Sequence, residues 1–312
     1  MTGAQIAAAA QRQDTVIPRR RGREAAAGRL FTGLMYGAVG LAFLGLGAIV
    51  RDFASDGVPV LSWDFLTSFP SRIIPASSGI ESAIVGTVCL MLICAVLVVP
   101  LGVMTAVYLE EYADPNRWFN RLIEVNIQNL AGVPSVVYGI LGLAFIVRGP
   151  LSLGPVLLAG GITLALLVLP VVIIVAREAI RAVPPSIREG SLALGATQWQ
   201  TIWRQVLPGS IAGIATGVIL ALSRAIGETA PLLVVGAGVS LRFNPDSLTS
   251  SFTALPIQIF SWTQDADQEF VTRAAGAICV LMIILLLMNS VAIWLRTRYE
   301  QKWLRTPSCP RT

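Results

Sequence analysis

The chain reads as an all-α integral membrane protein with six transmembrane helices. Three observations carry this. Of 312 residues, 54% are hydrophobic and 13% charged, with a mean hydropathy of +0.71, whereas a soluble domain carries about 25% charged residues. Six apolar stretches approach or exceed the roughly 20 residues that cross a bilayer. The polar stretch between the fourth and fifth has the boundaries of a folded element, not of a slack linker.

In chain order, residues 1–28 are rich in alanine and arginine and are expected as a flexible cytoplasmic tail. Arg19-Arg20-Arg21-Gly22-Arg23 has the charge of a signal-peptide n-region. The apolar run after it is too long for a signal and lacks a small-x-small cleavage site, so it is expected as a retained span. That first span is Leu30–Val50. The second, Ser82–Leu109, lies uncharged between Glu81 and Glu110, and the third, Val125–Val147, between Glu124 and Arg148. Gly149–Ala176 holds a short loop and the fourth span. The fifth runs from Ser210 to Val239 with two charges inside it, and the sixth is Ala274–Leu295. The membrane domain is therefore expected over 29–299, with a cytoplasmic tail at 300–312.

The basic residues give orientation. With the N-terminus inside, the inner segments hold 17 Lys/Arg and the outer ones five, Arg224 being counted in neither. Such a bias places both termini in the cytoplasm. The formal net charge of +5 is then an orientation signal rather than a nucleic-acid footprint.

What is missing narrows the chemistry. There is no histidine, which removes imidazole acid–base chemistry and His-ligated metals. Lys302 is the sole lysine and has no phosphate-loop glycines around it, so the chain is expected to bind no nucleotide itself. Cys89, Cys94, Cys279 and Cys309 form neither a disulfide framework nor a metal-ligand spacing. Without a nucleophile–base pair, a membrane-embedded enzyme is the weakest reading.

The polar stretch from Pro184 to Pro208 has more content. Pro184-Pro185 stops the preceding helix. Ser186 and Glu189 have capping-box spacing, and Leu192, Ala196, Trp199, Trp203 and Val206 recur as one helical face. Gly195 suits a turn or a close approach. An interfacial helix with tryptophans at headgroup level has this pattern. So does a docking element.

In span five, Arg224 and Glu228 stand four residues apart in Ser223-Arg224-Ala225-Ile226-Gly227-Glu228-Thr229-Ala230-Pro231. A charge near a span's centre costs about 2.5–3.5 kcal/mol on insertion scales. The pair either fixes helix register as a buried ion pair or offers a guanidinium fork to an oxyanion on a pathway.

Glu189-Gly190-Ser191, Gly195 and Leu207-Pro208 resemble the EAA motif of ABC importer permeases: E-A-A, three residues, G, nine residues, I, one residue, L-P. Gly190 and Ser191 stand at the two alanines and Gln205 at the isoleucine. The strings Ala131-Gly132-Val133-Pro134-Ser135-Val136-Val137-Tyr138-Gly139, Arg224–Pro231 and Phe252–Phe260 are similar to the PstA family of phosphate importer permeases. The similarity covers about 82–296. It implies the type I ABC importer permease (MetI-like) fold and a bacterial inner-membrane location. The implied role is that of a non-catalytic subunit carrying inorganic phosphate.

Implied partners are a PstC-like permease, two PstB-like ATPase subunits that use ATP and Mg, and a periplasmic PstS-like binding protein. Arg224 and Glu228 match the family's pathway charges, and Arg177 stands where a second pathway arginine is expected. Glu189, Gly190, Ser191, Gly195, Ala196 and Thr197 fall in the coupling segment, 184–208. A permease for molybdate or sulfate shares this architecture. A secondary transporter is disfavoured because no repeated pair of broken helices is visible.

The orientation is open to a direct test. Cysteines placed at Ser55 or Asp265 should react with an impermeant thiol reagent added outside intact cells, and one at Thr197 should not. The opposite labelling pattern overturns the assignment.

Overall fold

A computed structural model of the chain describes residues 22–114 and 116–304, all in helices, turns and loops. The expected tails therefore fall mostly outside the described residues. The chain divides into two compact units, 1–52 and 53–312. The first is represented by α1 (Gly22–Gly57), which begins inside the expected N-terminal tail, is apolar enough to cross a membrane and runs on past Asp52.

The second unit contains α2 (Trp63–Thr67), α3 (Glu81–Val107), α4 (Trp118–Ala131), α5 (Ser135–Leu141) and α6 (Leu157–Arg181). It continues through α7 (Pro185–Ala193), α8 (Gln198–Thr201), α9 (Leu207–Ile226), α10 (Ala230–Val235), α11 (Leu255–Thr263) and α12 (Gln268–Leu304). α3 passes into a π-helical turn at Tyr108–Tyr112, and α8 reaches α9 through another at Ile202–Val206.

The centre of this unit is the parallel pair α3 and α6. Leu90, Cys94 and Val98 join Leu164, Val168 and Val172 in one buried cluster. Small residues set the spacing: a Cβ at Gly102 would lie 2.7 Å from the Val172 side chain, and one at Gly161 2.5 Å from Ile93. α9 returns antiparallel against α6. There Gly213 faces Ala179 and Gly217 faces Val175, so the Gly213/Gly217 pair is a packing face of the small-x-x-x-small kind. Ser223 on α9 donates to Asn289 Oδ1 on α12 at 2.8 Å, a polar tie between apolar helices.

Among the described residues, five continuous helices are long and apolar enough to span a membrane, and a bent pair supplies a sixth candidate. The third expected span is that bent pair. α4 and the α5 segment meet at 108° across Gly132-Val133-Pro134. Pro134 has no N–H to continue the ladder and disfavours helical backbone at Val133, which forces the break. The fifth expected span also stops short of Val239. α9 ends at Ile226, and after Gly227–Thr229 the chain restarts as α10, with Pro231 in its first turn. Pro100 and Pro170, by contrast, lie inside intact helices, as prolines are tolerated within membrane-spanning helices.

The loop after α10 is drawn into the bundle. Phe252, Ala254 and Leu255 are fully buried. Leu255 N–H donates to Thr87 Oγ1 at 2.9 Å and Gly238 N–H to the Phe252 carbonyl at 2.8 Å. Gly86 makes room for this loop, because a Cβ there would stand on the Thr253 carbonyl oxygen. Gly86→Ala should therefore destabilise the protein by about 1–3 kcal/mol, as overpacking does. Gly190→Ala, at a helical position with open space around it, should be neutral or stabilising by up to about 1 kcal/mol. Thermal unfolding in detergent compares the two.

Candidate functional site

Two regions carry the residues singled out in the sequence. The first is the exposed segment α7–turn–α8. α7 starts at Pro185 with Pro184 as its cap residue and no side-chain cap. The expected Ser186/Glu189 capping box is thus not formed. Pro185 occupies the first helical position, where its missing N–H costs nothing, and Ser186 is already inside the helix.

The capping box sits instead at Thr197 and Gln200. Thr197 Oγ1 accepts from Gln200 N–H at 3.3 Å, and Thr197 N–H donates to Gln200 Oε1 at 3.0 Å. The Thr-x-x-Gln spacing was the available signal. Between the helices Gly195 adopts φ +83°, a left-handed turn that suits glycine. This turn also breaks the expected single face: Leu192 belongs to α7, while Trp199 and Trp203 stack edge-on beyond it, 5.3 Å between centroids.

Ser191 Oγ and Thr201 Oγ1, 2.9 Å apart, pin the two helices together. Glu189 and Gly190 are exposed on α7, with Ala196 half-buried after the turn. Leu194 is 90% exposed, and Leu192, Trp199 and Trp203 are about half exposed or more. The segment presents an apolar ridge beside a groove lined by Ile187, Gly190, Ala196 and Arg204.

A set of ion pairs that the sequence reading did not single out lies beneath this segment. The π-helical turn at the end of α3 aims Glu110 and Glu111 in different directions. Glu110 Oε1 accepts from Arg177 Nε at 2.7 Å and from Arg181 Nη2 at 2.8 Å, while Glu124 on α4 takes Arg177 Nη2 at 2.9 Å. Glu111 Oε1 accepts from Arg188 Nε at 3.0 Å. Arg188 also donates to the carbonyls of Val183 at 2.6 Å and Ile180 at 2.9 Å, and Gln198 Nε2 to the Glu111 carbonyl at 2.5 Å. The signal available in sequence was a pair of carboxylates closing one apolar run and three arginines following another.

The second region surrounds Arg224. It stands in the last turn of α9, not at a helix centre, and Glu228 lies beyond the helix end. The pair therefore bridges the break instead of sharing a helical face. Arg224 Nε is 3.7 Å from Glu228 Oε1, with side chains 62% and 18% exposed. That is an ion pair without a hydrogen bond, and the buried register-fixing pair considered from sequence is not what forms.

A basic residue in the last turn of a helix is favoured by the helix dipole. Arg224 lines a cleft with Leu130, Val133, Tyr138 and Val168, so it sits against the α4/α5 break. Tyr138 O–H donates to the Leu130 carbonyl at 2.9 Å across that break. Arg177 is not among the residues of this cleft; its side chain is 12% exposed and held by two carboxylates. Among the described residues no group of three or more His, Cys, Asp or Glu is placed to hold a metal.

Residues 98–305 match the family described as the inner membrane component of binding-protein-dependent transport systems. The chain belongs to that family. It is 36% identical over 220 residues to the phosphate transport system permease protein PstA 1 of Mycobacterium tuberculosis, covering 70% of each chain. It is 34% identical to the probable ABC transporter permease protein YqgI of Bacillus subtilis, over 79% of this chain and 87% of that one.

The probable phosphate permease PstA of Methanocaldococcus jannaschii is 30% identical, over 84% and 89%. Among solved structures, the permease superposes on a bacterial alginate ABC transporter chain with TM-score 0.64 and 16% identity, over 89% and 99% of the chains. On a chain of the inward-facing MetNI methionine transporter it gives 0.56 and 17%, over 71% and 94%. The fold is that of type I ABC importer permeases, and the protein is a multi-pass inner-membrane permease.

The local assignments can be checked separately. Thr197→Ala removes the observed capping box and should cost about 1 kcal/mol, with faster hydrogen exchange at residues 198–201. Ser186→Ala should leave exchange in α7 unchanged.

Proposed function

We propose that the permease is the translocation subunit for inorganic phosphate in an ATP-driven importer. The observation that carries this is the Arg224 side chain, 62% exposed and lining a cleft against a broken span. Arginine presents a planar fork of donors matched to a phosphate oxyanion. Glu228, near but not hydrogen-bonded, lowers the net positive charge, so the site holds the anion weakly enough to release it. Two relatives named as phosphate transport permeases support the substrate class.

In this reading both termini are cytoplasmic, and the α7–turn–α8 segment, with Glu189, Gly190, Ser191, Gly195, Ala196 and Thr197, receives an ATPase subunit. A second, PstC-like permease completes the pathway. Two PstB-like subunits bind ATP with Mg, and a periplasmic PstS-like protein delivers phosphate. ATPase closure moves the docking segment, the helices rock, and phosphate passes Arg224. Arg177 is a second pathway candidate, available to the anion only when its carboxylate partners let go.

Arg224→Gln, in the complex reconstituted into liposomes, should lose most phosphate uptake. An ion pair this exposed is worth at most about 1 kcal/mol, so assembly should persist. Adding Glu228→Gln should not rescue uptake, since the anion still lacks its guanidinium. Near-normal phosphate uptake by the double variant overturns the pathway role, and sulfate or molybdate uptake without phosphate uptake overturns the substrate.

A further inference from the structure

The turn at Tyr108–Tyr112 places two adjacent carboxylates on opposite duties. Glu110 grips Arg177 and Arg181 of α6, a helix of the central pair. Glu111, its side chain 9% exposed, holds the exposed segment at both of its helices: Arg188 of α7 through the carboxylate and Gln198 of α8 through the backbone carbonyl. Arg188 in turn caps the Ile180 and Val183 carbonyls at and just beyond the end of α6. One guanidinium thus joins α3, α6 and α7.

By contrast, the outward faces of α7 and α8 are largely exposed, and a Cβ at Gly190 or Gly195 would meet nothing within 4 Å. Inside the chain, the segment is tied to the membrane helices through Glu111 and Arg188, through Ile187 packed on the core, and through the π-turn at Ile202–Val206 that leads into α9.

We infer that Glu111 and Arg188 are positioning residues that transmit motion of the α7–turn–α8 segment to α3 and α6, so that movement imposed on the segment becomes movement of the helices around the pathway. This rests on the reading of the chain as an ATP-driven phosphate importer subunit. Charge-assisted hydrogen bonds are short and directional, and a partly buried set of them resists shear that an apolar contact allows. Without the link the segment still docks, because its outward ridge and its internal cap at Thr197 are untouched, but less of its displacement reaches α3 and α6.

The test uses the whole complex in proteoliposomes, with ATP hydrolysis and phosphate uptake measured together. Glu111→Gln keeps the side chain's length and removes its charge. The expected result is an assembled complex whose ATP hydrolysis stays within twofold of wild type while phosphate moved per ATP falls at least fivefold. A purely structural role would lower yield and thermal stability and leave phosphate moved per ATP unchanged.

An unchanged ratio overturns the inference, as does a proportional loss of hydrolysis and uptake. If Glu111→Gln does not assemble, Glu111→Asp, which keeps the charge and shortens the reach, is read by the same ratio and the same limits. A wild-type complex that moves no phosphate on ATP addition overturns the functional reading itself, and that outcome is visible before any variant is compared.

Discussion

Backbone that leaves a helix inside a membrane must find its hydrogen bonds within the protein, because hydrocarbon offers none. Two breaks impose this requirement here, at Gly132–Pro134 and at Gly227–Thr229, and much of the bundle is arranged around them. Tyr138 reaches back over the first break to the Leu130 carbonyl. α5 and α10, the short helices that follow the two breaks, pack on each other so closely that a Cβ at Gly139 would lie 2.7 Å from the Pro231 Cα. The two short helices thus pack on each other just beyond the breaks, while Gly132, Pro134 and Gly227 stay exposed. The cleft that Arg224 lines is what remains beside this contact.

The charges divide accordingly. At one end of α3 and α6, carboxylates and guanidinium groups are paired several times over. Arg177 meets two acids, Glu110 meets two arginines, and Arg188 meets an acid and two carbonyls. Burying charge is costly unless it is matched in this way, so these groups are committed to holding helices together. Arg224 is different. It is more than half exposed and has one loose partner. The same residue type serves as scaffold at one depth and as an available cation at another, and neighbouring carboxylates make the difference.

The membrane class and the approximate spans were legible because bilayer thickness fixes how long an apolar run must be, and composition alone reports that. The turn at Gly195 was legible too, since few other residues suit its left-handed backbone. The segment between the fourth and fifth spans was recognised as an element, but its cap was placed at Ser186 when Thr197 makes it. The spacing of a hydroxyl and a carboxylate is satisfied in many sequences, and the position of Pro185 at the first helical residue decided which one was used. The bent third span was readable in principle from Gly132-Val133-Pro134. The apolar run continued through it, and hydropathy does not sense backbone geometry.

By itself the sequence determined that the chain crosses a membrane, roughly where, and which residues bear charge in or beside the spans, because each of these follows from local composition. The partners of those charges came only from tertiary structure. Glu110 and Arg177 are 67 positions apart, Glu111 and Arg188 77, and no periodicity links them. Whether Arg224 was buried and paired or exposed in a cleft likewise depended on where α9 ended and on what α4, α5 and α6 brought beside it. Ion pairing and exposure are properties of distance in space, and chain separation does not encode that distance.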